Sequence, residues 1–268
     1  MREEGRGKRE GRTATTLLPA ALFPLPPSTL KLKTKLFRTA RMTRNTNARI
    51  AGFTFLFYIA AGVLSMVLFG LAASGIGITE KLSSIAQHTT TMGVVFVLGL
   101  LQAFSAITLG VTLYAITREQ DRDLAMAGLI FRVGEGLIGI AIPTTAGLLW
   151  LATATGVNAP DPATAHTLAA FLLQVEAQST LITATFFAVG STFFSWLLLR
   201  GRMIPVPLAW LGVVASVLLV VGLPLQGAGV LHGLATSVMW IPMALFEVPL
   251  ALWLLVKGVA PATRREIA

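Results

Sequence analysis

The sequence predicts an all-α fold, an integral membrane bundle of six transmembrane helices. Two observations carry this. Charged residues make up only 12% of the chain and hydrophobic residues 54%, with a mean hydropathy of +0.76, whereas soluble domains carry about 25% charged residues. Six stretches are also apolar over roughly 20 residues each, the length that crosses a hydrocarbon core.

Composition excludes several chemistries. The chain has no cysteine, so disulfides, thiolate metal sites and cysteine nucleophiles are out. The net charge is +9, yet twelve of the 21 Lys and Arg fall in residues 1–49, ahead of the first apolar run. Basic residues that flank apolar spans point to membrane orientation rather than to a nucleic-acid partner.

Residues 1–41 open with the mixed-charge run MREEGRGKREGR and continue through LLPAALFPLPPSTL, which four prolines interrupt. This reads as a disordered basic tail rather than a secretory signal. A true start at Met42 is the sharper alternative. The first span is then 50–73, followed by the loop SGIGITEKLSSIAQHTT and the second span, 92–116. REQDRD makes a charged turn into the third span, 124–153. A moderately polar helix at 165–178 runs into the fourth span, 179–199, and RGRMIPVP turns the chain into the fifth, 208–225. The sixth span is 235–256, closing a transmembrane domain of residues 42–258, and 259–268 form a short tail.

The basic residues orient these spans. With the N-terminus in the cytoplasm, that side holds the first twelve basic residues, Arg118, Arg122, Arg200, Arg202, Lys257, Arg264 and Arg265, and the opposite side only Lys81. Cytoplasmic loops carry such an excess. The expectation is a plasma-membrane protein with both termini cytoplasmic and the lipid bilayer as its partner.

Four polar residues lie inside the spans. Arg132 and Glu135, three apart, share a helix face, which Gly128 and Gly139 extend. Each charge costs about 2.5–3.5 kcal/mol at a helix centre on insertion scales, so partners are expected. At 1.5 Å per residue, Gln102 of the second span and Glu247 of the sixth reach the same midplane level. Small residues flank both, Gly99 and Ala106 beside Gln102, Ala244 and Ala251 beside Glu247, and such positions let helices approach closely. Spans two, three and six are therefore expected to meet, with Arg132 between Glu135 and Glu247. One Arg facing two Glu leaves an excess negative charge, so one carboxyl is expected to hold a proton. The cluster Gln102, Arg132, Glu135 and Glu247 then either fixes helix register or binds a small solute or relays protons.

Other constellations are weaker. His88, His166 and His232 all map to the side opposite the basic loops, together with Asp161 and Glu176. Three His can form an open zinc site, but no HExxH spacing is present, and solvated loop residues are the stronger reading. A membrane-embedded metal-dependent enzyme would rest on these residues. There is no G-x-S-x-G elbow and no phosphate-binding G-x-x-x-x-G-K, so no catalytic residue and no cofactor is assigned. A helper subunit of a larger membrane complex is a third class. Thr180, Ala184, Ala188, Ser191 and Ser195 form a small-residue stripe that Gly212 and Ser216 could face across a packing seam. Trp150, Trp196, Trp210 and Trp240 sit near span ends, where indoles anchor at the interface.

Four segments carry a family resemblance: ARIAG at 48–52, DRDLAMAGLIFRVGEG at 121–136, GRMIPVPLAWLGVV at 201–214 and EVPLALWLLVKGV at 247–259. In this order, over roughly residues 45–258, the chain resembles the bacterial multi-pass membrane family catalogued as domain of unknown function 4386. The family pattern carries an Arg after Ile-Pro beyond the fourth span, where this chain has Val206. The resemblance implies a six-helix membrane bundle with no established activity, and it favours a start at Met42.

Overall fold

Inside hydrocarbon no water satisfies a backbone N–H or C=O, so an apolar chain must close its hydrogen bonds within helices. The computed structural model describes residues 43–141 and 143–260, and the regular structure among them is helical. The tail 1–41, the Met42 start and residues 261–268 lie outside the described residues.

The helices are α1 (Arg44–Ala72), α2 (Ile78–Gln87), α3 (Thr89–Thr117), α4 (Arg122–Ala141), α5 (Thr144–Thr153), α6 (Pro162–Arg200), α7 (Val206–Gly227), α8 (Leu234–Val238) and α9 (Ile241–Val256). Six spans are long and apolar enough to cross a membrane: α1, α3, α4 with α5, α6, α7, and α8 with α9. The chain is a multi-pass membrane protein.

Each span packs against the next in the chain, and α9 closes back onto α1. The six therefore form a ring in sequence order. This differs from the expected meeting of spans two, three and six, because α9 packs between α1 and α7 instead. Ring closure depends on Gly52, where an added Cβ would lie 2.5 Å from the Leu255 backbone nitrogen and 2.6 Å from the Ala251 carbonyl oxygen. The α6–α7 seam uses part of the small-residue stripe, since Thr180 is exposed and Ala184 half-buried. Ala188, Ser191, Ser195 and Ser216 are buried, and a Cβ on Gly212 would meet Ser195 Oγ at 2.8 Å.

Four elements depart from the linear reading. The loop after the first span contains α2, whose Ile85 is buried with Met92, Leu148 and Leu151 in a small apolar cluster at the far end of the bundle. Glu80 caps it, its Oε2 accepting from the backbone nitrogen of Ile76 at 2.9 Å. The third span breaks before Pro143 into α4 and α5, since proline cannot donate to the preceding turn. The sixth breaks between α8 and α9 at Met239 and Trp240, just before Pro242. Finally, the polar helix at 165–178 and the fourth span are one helix of 39 residues. At 1.5 Å per residue this is about 58 Å long, well beyond a hydrocarbon core of about 30 Å, and its N-terminal part carries α5 and α2 beside it.

The opposite, basic end is tied by polar contacts. Arg200 pairs with Asp121 at 3.3 Å and Arg44 with Glu119 at 3.7 Å. The chain beyond α9 returns through Gly258 at φ +72°, where a Cβ would stand 2.9 Å from Asn45 Oδ1. The Ala260 nitrogen then donates to the Met203 carbonyl at 3.0 Å.

At the far end Asp161 caps α6. Its carboxylate accepts from the Ala163 and Thr164 nitrogens at 3.0 and 3.1 Å and from Thr164 Oγ1 at 2.6 Å. The Thr164 hydroxyl and amide bonds hold the Asp161 carboxyl below the usual aspartate range. A depressed folded value means that the cap's contribution is complete above the unfolded aspartate value of about 3.9 and is lost as pH falls through the folded one. Amide exchange at the first turn of α6 should accelerate in that acid window, and Asp161→Ala should make the same amides fast at neutral pH. Unchanged exchange in the variant would show that the cap is dispensable.

Candidate functional site

The bundle centre holds Arg132 and Glu135 from α4, Tyr58 from α1, Phe187 from α6 and Glu247 from α9. Arg132 is 1% exposed, Glu135 2% and Glu247 8%. Arg132 lies ten residues into α4 from the basic end and Glu247 ten residues before Lys257. At 1.5 Å per residue both lie about 15 Å along their helices from the basic end.

The α4 face brings the first pair together. Arg132 Nη1 lies 2.8 Å from Glu135 Oε2. The contact is an ion pair without aligned hydrogen-bond geometry, because both atoms lack a hydrogen-bond partner. Glu135 Oε1 accepts instead from the Tyr58 hydroxyl at 2.7 Å. The Tyr58 ring is stacked with Phe187, centroids 6.3 Å apart, and Phe187 with Trp240 at 6.3 Å. The Arg132 guanidinium carbon stands 5.2 Å from the Tyr58 ring centre and 5.1 Å from that of Phe187. Desolvated cation–aromatic contacts of this kind contribute about 2 kcal/mol.

Glycines make room for the buried stem. A Cβ on Gly110 of α3 would lie 2.9 Å from Arg132 Cβ, and one on Gly190 of α6 would lie 3.1 Å from its Cγ. Long side chains at positions 110 and 190 would therefore displace the guanidinium from its rings. Of the two glycines expected on the Arg132 face, Gly128 packs against the Phe194 ring, whereas a Cβ on Gly139 would meet only Ala103 Cβ at 3.8 Å.

Glu247 and Gln102 are placed differently from that pair. Among the described residues Glu247 forms no ion pair, and its Oε1 has no hydrogen-bond partner. It does lie within the electrostatic reach of Arg132 and Glu135. Among the described residues Arg132 Nε and Nη2 also lack hydrogen-bond partners. Arg132 therefore does not bridge the two carboxylates directly. Gln102 is half-buried and turned to α1, its Nε2 packed where a Cβ on Gly62 would stand at 2.7 Å. It makes no hydrogen bond to the three charged residues.

The three histidines stay apart from this core. His88, His166 and His232 are all exposed, and among the described residues no group of three or more His, Asp or Glu side chains is arranged to hold a metal ion. His88 Nδ1 instead contacts the Ser84 carbonyl oxygen at 2.8 Å. Trp150, Trp196, Trp210 and Trp240 are all at least partly exposed, although Trp240 also reaches inward to Phe187.

Tyr58 and Phe187 were missed by sequence reasoning. For Tyr58 a signal existed: it is one of only two tyrosines in the chain and puts a hydroxyl in the middle of an apolar span, where a buried Tyr usually finds a partner. Phe187 is one of fifteen phenylalanines and carries no such mark.

The family model described as Domain of unknown function (DUF4386) matches residues 50–258. No curated protein matches the chain, and no solved structure does.

Proposed function

The chain belongs to the DUF4386 family, and from that premise we propose that its polar core is a proton-handling site in the plasma membrane, with Glu247 as the group that carries the proton. One observation carries this reading: among the described residues Glu247 is buried without an ion pair and with an unbonded Oε1, in a core whose guanidinium nitrogens Nε and Nη2 are also unbonded. An isolated ionised carboxylate in such surroundings is strongly unfavourable, so it takes a proton or a cationic partner. Arg132 and Glu135 compensate each other at 2.8 Å, and Tyr58 fixes Glu135 from the other side. Glu247 is the surplus carboxyl. When it loses its proton, the resulting carboxylate is drawn to the free Nε and Nη2 edge of Arg132. When it is reprotonated, that attraction ends. The guanidinium thus serves one fixed and one exchanging partner, which is the form a relay requires.

The skewed distribution of Lys and Arg supports cytoplasmic termini. The separation of the three histidines gives the metal-enzyme reading no support.

The test is proton flux through the purified full-length protein in vesicles of phosphatidylethanolamine and phosphatidylglycerol, followed with an entrapped pH dye. Glu247→Gln keeps the shape and removes the titration. Flux in the wild type that vanishes in this variant, with unchanged thermal unfolding, supports the relay. Wild-type vesicles no leakier than empty ones would reduce the cluster to an organiser of the bundle.

A further inference from the structure

A relay at the bundle centre needs a route to one surface, and the seam between the third and fourth spans has the chemistry for it. Glu176 of α6 is half-buried, and its Oε2 accepts a hydrogen bond from the Thr144 hydroxyl. Thr144 is 2% exposed and is the first residue of α5, immediately after the break at Pro143. Pro143 has no N–H to give to the carbonyl of Gly139. Interrupted helices inside a membrane protein are tolerated where they face protein or a water-filled path, and they recur at ion sites.

The register of α6 aligns this carboxyl with the core. Thr183, Phe187 and Gly190 follow Glu176 by seven, eleven and fourteen residues. At 3.6 residues per turn these lie within about 40° of one line along the helix. The line begins at a carboxyl, passes the half-buried Thr183 hydroxyl, and ends at Phe187 and Gly190, both of which touch Arg132. Glu176 stands about 16 Å above Phe187 along the axis. The ionisable groups on the elements around this end are Glu80 and Lys81 of α2, His88 beyond it, Asp161 at the cap of α6 and His166 on α6 itself. None of them forms an ion pair or hydrogen bond with Glu176. Deeper in the same seam α4 contributes Arg132 and Glu135, already paired with each other.

We propose that Glu176 and Thr144 form the proton-entry port of the bundle, at the end opposite the basic loops, feeding the Arg132–Glu135–Glu247 core along the α4/α5–α6 seam. This rests on the relay reading above. The ligand is a proton. The Glu176 carboxylate takes it from a hydronium ion in bulk water, whose O–H bond breaks as the carboxyl O–H bond forms, and loses it inward to the ionised Glu247 of the core, where the new O–H bond forms. Thr144 is a positioning residue that holds the carboxyl at the mouth of the seam through its hydroxyl.

The experiment pairs vesicle flux with a chemical readout. Glu176→Gln should slow proton flux by about tenfold or more, in line with the loss of a positioned proton-transfer group. It should also flatten the dependence of flux on pH at the far face while leaving the dependence at the basic face unchanged. Thr144→Val should slow flux similarly, and Thr144→Ser should restore it, which a purely structural role for the methyl group would not produce. A hydrophobic carbodiimide, which reacts with protonated carboxyls in apolar surroundings, should modify Glu176 in the intact protein, less so as pH at the far face rises. Flux and pH profile unchanged in Glu176→Gln, alongside a Glu247→Gln variant that is dead, would overturn the port and spare the relay. If the wild type carries no flux, the relay fails. The port that feeds it then fails with it, whereas absence of pH-dependent labelling at Glu176 in a protein that does carry flux overturns the port alone.

Discussion

Replacing Arg132 with Leu should destabilise the bundle by about 3–5 kcal/mol, the usual result of removing one partner from a buried ion pair. The cause is the residue left behind. Glu135 is 2% exposed, its Oε2 faces only the guanidinium at 2.8 Å, and its Oε1 has a single neutral donor, Tyr58. Deleting the cation strands a carboxylate in low dielectric and also removes a cation seated against two aromatic rings. The informative comparison is the double variant. Arg132→Leu with Glu135→Leu eliminates both charges and should recover most of the loss. The remaining deficit is about 1–3 kcal/mol, because the Tyr58 hydroxyl would lose its acceptor. Denaturant unfolding in mixed micelles measures all three proteins. A single variant as stable as the wild type would mean that this pair does not organise the core.

Gly52→Ala should be nearly as damaging, at about 3 kcal/mol, the upper part of the usual overpacking range. The obstruction is backbone: the new Cβ would lie 2.5 Å from Leu255 N and 2.6 Å from Ala251 O. Neither atom can rotate away as a side chain could, so α1 and α9 must separate, and with them the closure of the ring. Gly139→Ala is the control. There the added methyl meets only Ala103 Cβ at an ordinary 3.8 Å, and alanine's better helix propensity makes the change neutral or stabilising by up to about 1 kcal/mol. If both variants unfold alike, close approach at Gly52 is not what closes the bundle.

Both residues show where sequence reading works and where it stops. Arg132 stood out because a charge inside an apolar run is costly and rare, and its partner three residues away follows from helix geometry. Gly52 did not stand out among 25 glycines. Its importance lies in an α9 backbone some two hundred residues away in the chain. The placement of Glu247 shows the same limit. It shares the centre with Arg132 and Glu135, yet α9 packs between α1 and α7 rather than against the second and third spans, and Tyr58 and Phe187 are the groups that contact the guanidinium. The break at Pro143 and helix α2 had local signals, a proline in the span and Ile78, Leu82 and Ile85 at helical spacing, that a search for long apolar runs passes over.

By itself the sequence determined the number of spans, their approximate limits and which polar residues fall inside them. These follow from one-dimensional quantities: a hydrocarbon core about 30 Å thick, a rise of 1.5 Å per residue and the cost of a charge in lipid. The tertiary structure decided the order of helices around the ring and the direction each residue faces. A spanning helix is apolar on all sides, since lipid and protein neighbours are equally greasy, so no hydrophobic stripe marks the inner face as it does on a soluble helix. Helix association in lipid rests on close fits of small residues and on polar contacts. Those fits at Gly52, Gly110, Gly190 and Gly212, and the Tyr58–Glu135 bond, exist only once residues from different spans are brought together.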